Sequence, residues 1–193
     1  MSILKVTKKR FDAAYAKADE KTKEVLNELF GMTPRVKPSL DDYKTIKSYN
    51  DACEALGIDA AANLKGLTDS HIIALVKLET ISKALWGRDF CPVPPKPDTY
   101  YYYPWFWLLT KEEYDKLSEE DKKSSGLLAG GADLGTFAGW RYRYTNYRSS
   151  NSVAHIGFRL CQQTSAKAEY FGKQFLELWA EYLIEQKINR QNV

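Results

Sequence analysis

The chain has 193 residues, of which 44% are hydrophobic and 27% charged, with a formal net charge of +3 at pH 7. These values are ordinary for one large globular domain that can bury a core of its own. So small a net charge argues against a nucleic-acid partner. No run approaches the roughly 18 apolar residues of a membrane span.

The cysteines and histidines favour neither a disulfide framework nor a metal site. Cys53, Cys91 and Cys161 are widely spaced and show no C-x-x-C pairing, which is unlike a disulfide scaffold or a zinc ribbon. His71 and His155 are isolated from each other and from the cysteines, so no metal and no cofactor is expected. The basic N-terminus runs into a polar helix without an apolar h-region, which argues against secretion by a signal peptide.

The N-terminal half is predicted to be helical. Apolar residues at helical spacing between Phe11 and Phe30 predict a helix that Asp19 divides in two and Gly31 ends. Met32–Ser39 contains two prolines and predicts a linker. We therefore expect residues 1–38 to be a helical attachment segment and residues 39–193 to be an α+β domain.

Two further helices and a proline-rich segment follow. The first predicted helix begins at the cap Ser48 and stops at Gly57, and the second runs from Thr68 to Trp86. Cys91–Thr99 holds four prolines and is predicted to be extended. Thr110 with Glu113 then forms the T-x-x-E pattern of a capping box.

Short antiparallel strands and a last helix complete the predicted fold. Gly126–Gly139 carries five glycines, which predicts turns between short strands. Trp140–Thr145 and His155–Leu160 alternate with period two and predict strands. Ser165 is expected to cap a long amphipathic C-terminal helix. The predicted class is α+β, with ligand-presenting strands within 126–161, long loops and no βαβ rhythm.

The segment Gly135–Cys161 is the predicted binding surface. No Asp or Glu occurs between Leu134 and Ala168, and five positive charges are found there: Arg141, Arg143, Arg148, Arg159 and Lys167. Regular alternation places Trp140, Tyr142 and Tyr144 opposite Arg141 and Arg143. Outward arginines would suit phosphate or carboxylate groups, whereas outward aromatics would suit sugar rings or bases. The sequence alone leaves both possibilities open, beside a hairpin whose arginines are merely solvated or paired with distant carboxylates.

The predicted ligand-binding residues are Trp140, Arg141, Tyr142, Arg143, Tyr144, Asn146, Tyr147 and Arg148. A second aromatic feature is the run YYYYPWFW at positions 100–107. One interpretation makes this run a core seam between helices and sheet. The other makes it an aromatic platform or an oligomer contact, with interface residues Tyr101, Tyr103, Trp105 and Trp107.

Catalytic machinery is not apparent in the sequence. The chain has no Walker A motif, no dinucleotide-binding glycine pattern and no G-x-S-x-G. Cys161 with His155 is the one candidate nucleophile–base pair, and a buried structural cysteine is the alternative. We therefore predict no catalytic residue and no enzymatic activity.

Four segments carry a resemblance to a known family: KLETISKALWG (Lys77–Gly87), YYYPWFWLLTKEEYDKLSEEDKK (Tyr101–Lys123), GFRLC (Gly157–Cys161) and AEYFGKQFLELWAEYL (Ala168–Leu183). Over roughly residues 45–185 the chain resembles an uncharacterised family of phage and prophage proteins of gut bacteria of the Bacteroides type. In that family a Gly/Tyr/Ser/Asn-rich middle, here Ala129–His155, varies between members. The resemblance implies a scaffold that presents a diversified surface.

A looser resemblance is to the C-type-lectin-like fold of phage variable proteins and formylglycine-generating enzymes. Gly139-Trp140-Arg141, Arg148 and Gly157-Phe158-Arg159 match its ligand-bearing strands in order and approximate spacing. The cysteine pair of the enzyme branch is missing, and here a helix follows the G-F-R strand that usually closes that domain. The resemblance therefore implies a ligand-presenting sheet without the enzyme's catalysis.

Together these patterns predict a non-enzymatic phage or prophage protein. The expected role is a virion-associated fibre, decoration or adhesin component that binds a surface glycan or protein and assembles with itself or with other virion proteins. The alternative is an effector in the cytoplasm of the infected bacterial host that sequesters a nucleotide or a host protein.

Overall fold

The computed structural model describes residues 6–31, 36–90, 100–124, 128–129, 137–149 and 158–184. The chain divides into two compact units, Met1–Lys37 and Pro38–Val193. The proline segment Cys91–Thr99 and His155 lie outside the described residues.

The first unit contains two helices, α1 (Lys8–Tyr15) and α2 (Glu20–Phe30). Asp19 caps the second helix by accepting a hydrogen bond from the backbone N–H of Thr22, as predicted. Gly31 ends it in the left-handed conformation at φ 56°, which glycine adopts without steric cost. Phe11 is buried against rings at the ends of both helices.

The second unit contains helices and strands in the order that the α+β prediction requires. Its helices are α3 (Tyr49–Leu56), α4 (Ala60–Asn63), α5 (Ser70–Trp86), α6 (Lys111–Asp115), α7 (Glu119–Ser124), α8 (Ser165–Gln174) and α9 (Leu176–Ile184), and its strands are β1 (Tyr100–Thr110), β2 (Leu128–Ala129) and β3 (Phe137–Ser149). The α+β class is confirmed, with helices at both ends of the chain and an antiparallel sheet between them.

Local signals determine most helix ends. Ser48 caps α3 and Gly57 stops it at φ 67°. Thr110 and Glu113 form both hydrogen bonds of the predicted capping box at the start of α6. The C-terminal helix, predicted as one long helix, is two helices, because Phe175 leaves the helical conformation at φ −113° and ψ 30°.

The sheet has the order β1-β3-β2, so β3 is the central strand. It pairs with β1 from Tyr100↔Ser149 to Thr110↔Phe137, but with β2 only at Gly139 and Trp140. Both long strands exceed the short strands that the sequence predicts. Pro104 is tolerated within β1 because β1 lies at the edge of the described sheet, where a missing N–H costs no interior ladder bond.

The prediction of a strand over His155–Leu160 is wrong for residues 158–160, the part of it that the structure describes. Phe158–Leu160 forms a 3₁₀ turn, and the alternating apolar residues of this segment reflect burial of Leu160 and packing of Phe158 on Tyr101. Just beyond the turn, Trp86 Nε1 donates to the carbonyl of Cys161 at 2.6 Å. The closing G-F-R strand implied by the looser resemblance is therefore not formed at residues 158–160.

The main core lies between α5 and the pair α8–α9. Leu78, Ile81 and Leu85 of α5 are fully buried against Phe171 and Trp179. Other buried residues extend this core to one face of the sheet, where Phe106 of β1 contacts Trp179. We call this helix-covered face of the sheet the inner face and the opposite one the outer face.

Gly172 of α8 lies directly against the sheet. A Cβ atom at this position would lie 2.6 Å from Cβ of Pro104 and 2.7 Å from Cδ2 of the Tyr142 ring. Both distances are below van der Waals contact. Only glycine therefore permits α8 to pack this closely on β1 and β3.

We expect Gly172→Ala to lower the free energy of unfolding. Overpacking costs about 1 to 3 kcal/mol, which exceeds the gain of up to about 1 kcal/mol from better helix propensity. Chemical denaturation measures the change. The matched control is Ala166→Ser, which also adds one heavy atom to α8 but at an exposed position and should change stability by about 0.5 kcal/mol at most. A stabilised Gly172→Ala protein would contradict this packing.

Candidate functional site

A β-bulge in β3 determines which side chains share the outer face. Trp105 pairs with Tyr144, but the next residue, Phe106, pairs with Tyr142. Arg143 is therefore an extra residue without a partner on β1. Because side chains alternate along a strand, one extra residue moves every later side chain to the opposite face. The regular alternation predicted from Trp140 to Thr145 is wrong at this position.

The bulge produces a continuous stack of arginines and aromatic rings. The Arg143 guanidinium carbon lies 4.1 Å from the ring centroid of Trp107, and that of Arg141 lies 5.4 Å from the same ring. Arg143 also lies 5.8 Å from the Tyr144 ring. Trp105 stacks on Tyr144 with centroids 6.0 Å apart and planes at 11°. We call these five residues the aromatic–arginine surface.

This surface is open to solvent, whereas its neighbour Tyr142 is not. The side chains of Trp105 and Tyr144 are 40% and 42% exposed, and Arg143 is exposed as well. Tyr142 is only 6% exposed and belongs to the inner face, where its hydroxyl lies 2.7 Å from that of Thr145. Burial raises the pKa of the Tyr142 hydroxyl. Regular alternation left open whether the arginines or the aromatic residues of β3 face outward. In the structure Arg141, Arg143 and Tyr144 lie on the same outer face.

The two arginines have no anionic partner within the part of the chain that the structure describes. Among the described residues, Arg143 makes only the ring contacts given above, and the buried Nε and Nη1 atoms of Arg141 find no hydrogen-bond acceptor there. Stacking occupies the flat face of a guanidinium and leaves its N–H donors in the plane. Two neighbouring cations held in this way attract an anion.

A groove runs beside the aromatic–arginine surface along the edge of β3 that faces away from β1. Beyond Trp140, β3 has β1 on one side and, among the described residues, no strand on the other. The groove has a volume of about 410 Å³, which lies in the size range of small-molecule sites. We call it the edge groove; it is lined by Asp121, Arg141, Tyr142, Arg143, Tyr144, Thr145, Ser165, Glu169 and Lys173.

The helical side of the edge groove was not predicted from sequence. Lys173 forms an ion pair with Glu169 at 2.7 Å and lies 5.3 Å from the Tyr142 ring. In the sequence these two residues are an ordinary i, i+4 pair on a helix surface. Nothing local marks them as lining a groove, because only the packing of α8 on β3 brings them there.

The remaining predicted ligand residues lie further along β3. Asn146 pairs with Tyr103 in the ladder, and its side-chain oxygen accepts a hydrogen bond from the N–H of Tyr147. Tyr147 is 54% exposed and contacts the ring of Tyr100. For Trp140 and Arg148 the structure describes the backbone in β3 only, so their predicted side-chain roles lie outside the described part of the chain.

The four-residue interface predicted on β1 separates into core and surface. Tyr101 and Tyr103 are 2% and 5% exposed and pack with Trp86 and Cys161. They therefore belong to the core and cannot form an oligomer contact on this surface. Trp105 and Trp107 instead join the aromatic–arginine surface. The run YYYYPWFW thus serves as a core seam at its start and as an exposed platform further on.

Two of the five positive charges are used elsewhere. Lys167 donates hydrogen bonds to the carbonyl of Trp86 and to the side chain of Gln163, and burial lowers its pKa. Arg159 lies 3.9 Å from Glu79 of α5. Of the five, Arg141 and Arg143 are the ones whose described side chains belong to the aromatic–arginine surface.

The candidate nucleophile Cys161 is a core residue. Its side chain is 1% exposed, and burial raises the pKa of the thiol from 9.0 to about 12. His155 lies outside the described residues. The other histidine, His71, stacks on Tyr182, with Nδ1 2.8 Å from that residue's carbonyl oxygen, which is a packing role.

We expect Cys161 to resist alkylation by iodoacetamide at pH 8. The thiolate is the reactive form, and a pKa raised to about 12 keeps the thiol protonated there. Mass spectrometry of peptides should show Cys161 reacting far more slowly than a model thiol, and at the normal rate in denaturant. Reaction of the folded protein at the model-thiol rate would contradict the buried position.

The raised pKa of Cys161 also makes the stability of the fold depend on pH. The buried neutral thiol makes its full contribution to the free energy of unfolding below pH 9, and this contribution falls as the pH rises towards 12.

Among the described residues, no group of three or more His, Cys, Asp or Glu side chains could hold a metal ion. Within the same ranges no helix is long and apolar enough to cross a membrane. Comparison with protein-family models, with curated proteins and with solved structures finds no match for this chain.

Proposed function

We propose that the protein is a non-enzymatic binding protein of a phage or prophage, carried in the virion as a fibre, decoration or adhesin component. Its ligand is a glycan or protein on the surface of the bacterial host. The aromatic–arginine surface is the contact region, and the edge groove beside it receives the part of the ligand that needs polar partners.

The observation that carries the proposal is the stack of Arg141 and Arg143 on Trp107. Exposed aromatic rings beside arginines are typical of recognition surfaces, because both residue types offer large contact areas and directional bonds. The sheet and the ring contacts hold these side chains in place before a ligand arrives. A preordered surface loses less entropy on binding than a mobile one.

The phage part of the proposal rests on the resemblance over roughly residues 45–185. In that family the segment that varies between members corresponds to Ala129–His155, which includes all of β3. Variation there would alter the surface while β1, α5, α8 and α9 stay constant. Such a division between a fixed frame and a changeable face suits a protein that must follow changes in a host surface.

Surface binding is tested by incubating the fluorescently labelled protein with intact Bacteroides-type gut bacteria and measuring cell-bound fluorescence. We expect binding to at least one strain and a reduction of about tenfold or more in Arg143→Ala and in Trp105→Ala, because each removes an exposed contact. Arg159→Ala is the matched control, since it removes an exposed arginine outside the surface. Equal binding by all four proteins would exclude this surface as the contact region.

The virion location is tested by mass spectrometry of particles purified after induction of the phage. We expect the protein in washed particles at a constant ratio to the capsid protein. Its absence from particles, together with its presence in the infected cytoplasm, would instead favour the intracellular effector. In that case nucleotides, and not glycans, should raise the melting temperature, because arginines and stacked rings can also hold a phosphate and a base.

A further inference from the structure

We infer that the ligand of the aromatic–arginine surface is a glycan bearing carboxylate groups, such as a chain containing uronic or sialic acid. This inference rests on the proposed function and deepens it by naming the chemical class of the ligand. It follows from the juxtaposition of arginine donors that have no acceptor among the described residues, exposed flat rings and a groove of mixed charge.

Arg143 supplies the carboxylate site. Its guanidinium lies 4.1 Å from the Trp107 ring and forms no ion pair or hydrogen bond with another described residue. The in-plane N–H donors of a stacked guanidinium match the two oxygens of a carboxylate. Arg141, stacked on the same ring, adds a second positive charge, so a bound carboxylate would relieve the repulsion between the two cations.

Trp105 and Tyr144 supply an apolar platform next to this charge. Their rings lie nearly parallel and are each about two-fifths exposed. One face of a sugar ring consists mainly of C–H groups, which pack favourably on the electron-rich face of an aromatic ring. A carboxylated sugar presents such a face and an anionic group on the same ring, so it can contact Tyr144 and Arg143 together.

The edge groove supplies partners for sugar hydroxyls. Thr145 and Ser165 offer hydroxyl groups, and Glu169 offers acceptor oxygens although it also pairs with Lys173. A hydroxyl both donates and accepts hydrogen bonds, so a lining of this kind suits a carbohydrate. The volume of about 410 Å³ is sufficient for a short stretch of a sugar chain.

The residues that line the edge groove argue against a nucleic acid as the ligand. Asp121 and Glu169 border the edge groove, and a nucleic-acid backbone with a charge on every residue would meet these carboxylates. Nucleic-acid binding proteins neutralise several phosphates with a broad basic surface, whereas the net charge of the whole chain is +3. A glycan with an occasional carboxylate needs only the two arginines present.

The test is isothermal titration calorimetry of the full chain with sialyllactose and with trigalacturonate. Lactose and carboxyl-reduced trigalacturonate are the neutral counterparts. We expect at least one acidic glycan to bind, and its neutral counterpart to bind about tenfold to a hundredfold more weakly, because charge-assisted hydrogen bonds are lost. Arg143→Gln should remove this preference for the acid. Trp105→Ala should weaken the acidic and the neutral glycan alike, and Arg159→Gln should change neither.

Equal affinity for an acidic glycan and its neutral counterpart would overturn the inference, as would the absence of binding to both acidic glycans. If cell-surface binding still depended on Arg143 and Trp105 in either case, the proposed function would stand and the ligand would be a neutral glycan or a protein. Loss of that dependence would remove the proposed function as well. Circular dichroism of each variant separates loss of contact from loss of fold.

Discussion

The extra residue Arg143 in the β1–β3 ladder is the constraint on which the outer face of the sheet depends. Without it, Tyr142 and Tyr144 would lie on one face and Arg141 and Arg143 on the other. With it, Tyr142 enters the core while Tyr144 lies beside Arg143. The aromatic–arginine surface is thus a consequence of register.

Helix α8 holds the two strands on both sides of this irregularity. Gly172 lies against Pro104, which pairs with Thr145 before the bulge, and against Tyr142, which pairs with Phe106 after it. A helix packed at both points prevents the strands from slipping into a regular register. Slippage would force Tyr142 out of its buried position, and exposing a buried aromatic side chain costs about 1.5 to 3 kcal/mol. Packing on the inner face therefore maintains the arrangement on the outer one.

On the outer face the rings and guanidinium groups pack on one another, but no described residue neutralises the two arginines. Exposed cation–π contacts contribute about 0.5 to 1 kcal/mol each and more when desolvated, which is enough to orient Arg143 over Trp107. They do not neutralise its charge, and the buried Nε and Nη1 atoms of Arg141 have no acceptor among the described residues. A surface that retains unmet bonding capacity in a fixed geometry is suited to binding a complementary group.

Local sequence signals are sufficient for most of the helices and for the class of fold. The caps at Asp19, Ser48 and Thr110 act within a few residues, so they can be predicted from spacing alone. The bulge cannot, because no residue near Arg143 differs from those of a regular strand, and the register depends on contacts with β1 and α8. The 3₁₀ turn at Phe158–Leu160 was missed for a similar reason, since its apolar residues are buried in a turn with the periodicity expected of a strand.

The sequence could not show which residues of the aromatic run are buried and which are exposed, because tertiary packing decides this. Tyr101 and Trp105 follow the same alternation, yet the first lies under Trp86 and the second does not. Only the position of α5 distinguishes them. The edge groove likewise joins residues from β3 and α8, and the sequence alone does not indicate that these elements are neighbours.

Nuclear Overhauser effects between assigned side chains measure the register at Arg143 most directly. We predict contacts from the Arg143 side chain to the indole ring of Trp107, and contacts from the Tyr142 ring to Gly172 and to the side chain of Pro104. Tyr144 should show contacts to Trp105 and none to Gly172. If instead both tyrosine rings contacted Gly172 and the Arg143 side chain did not contact Trp107, the ladder would be regular. That result would contradict the shared surface of arginines and aromatic rings.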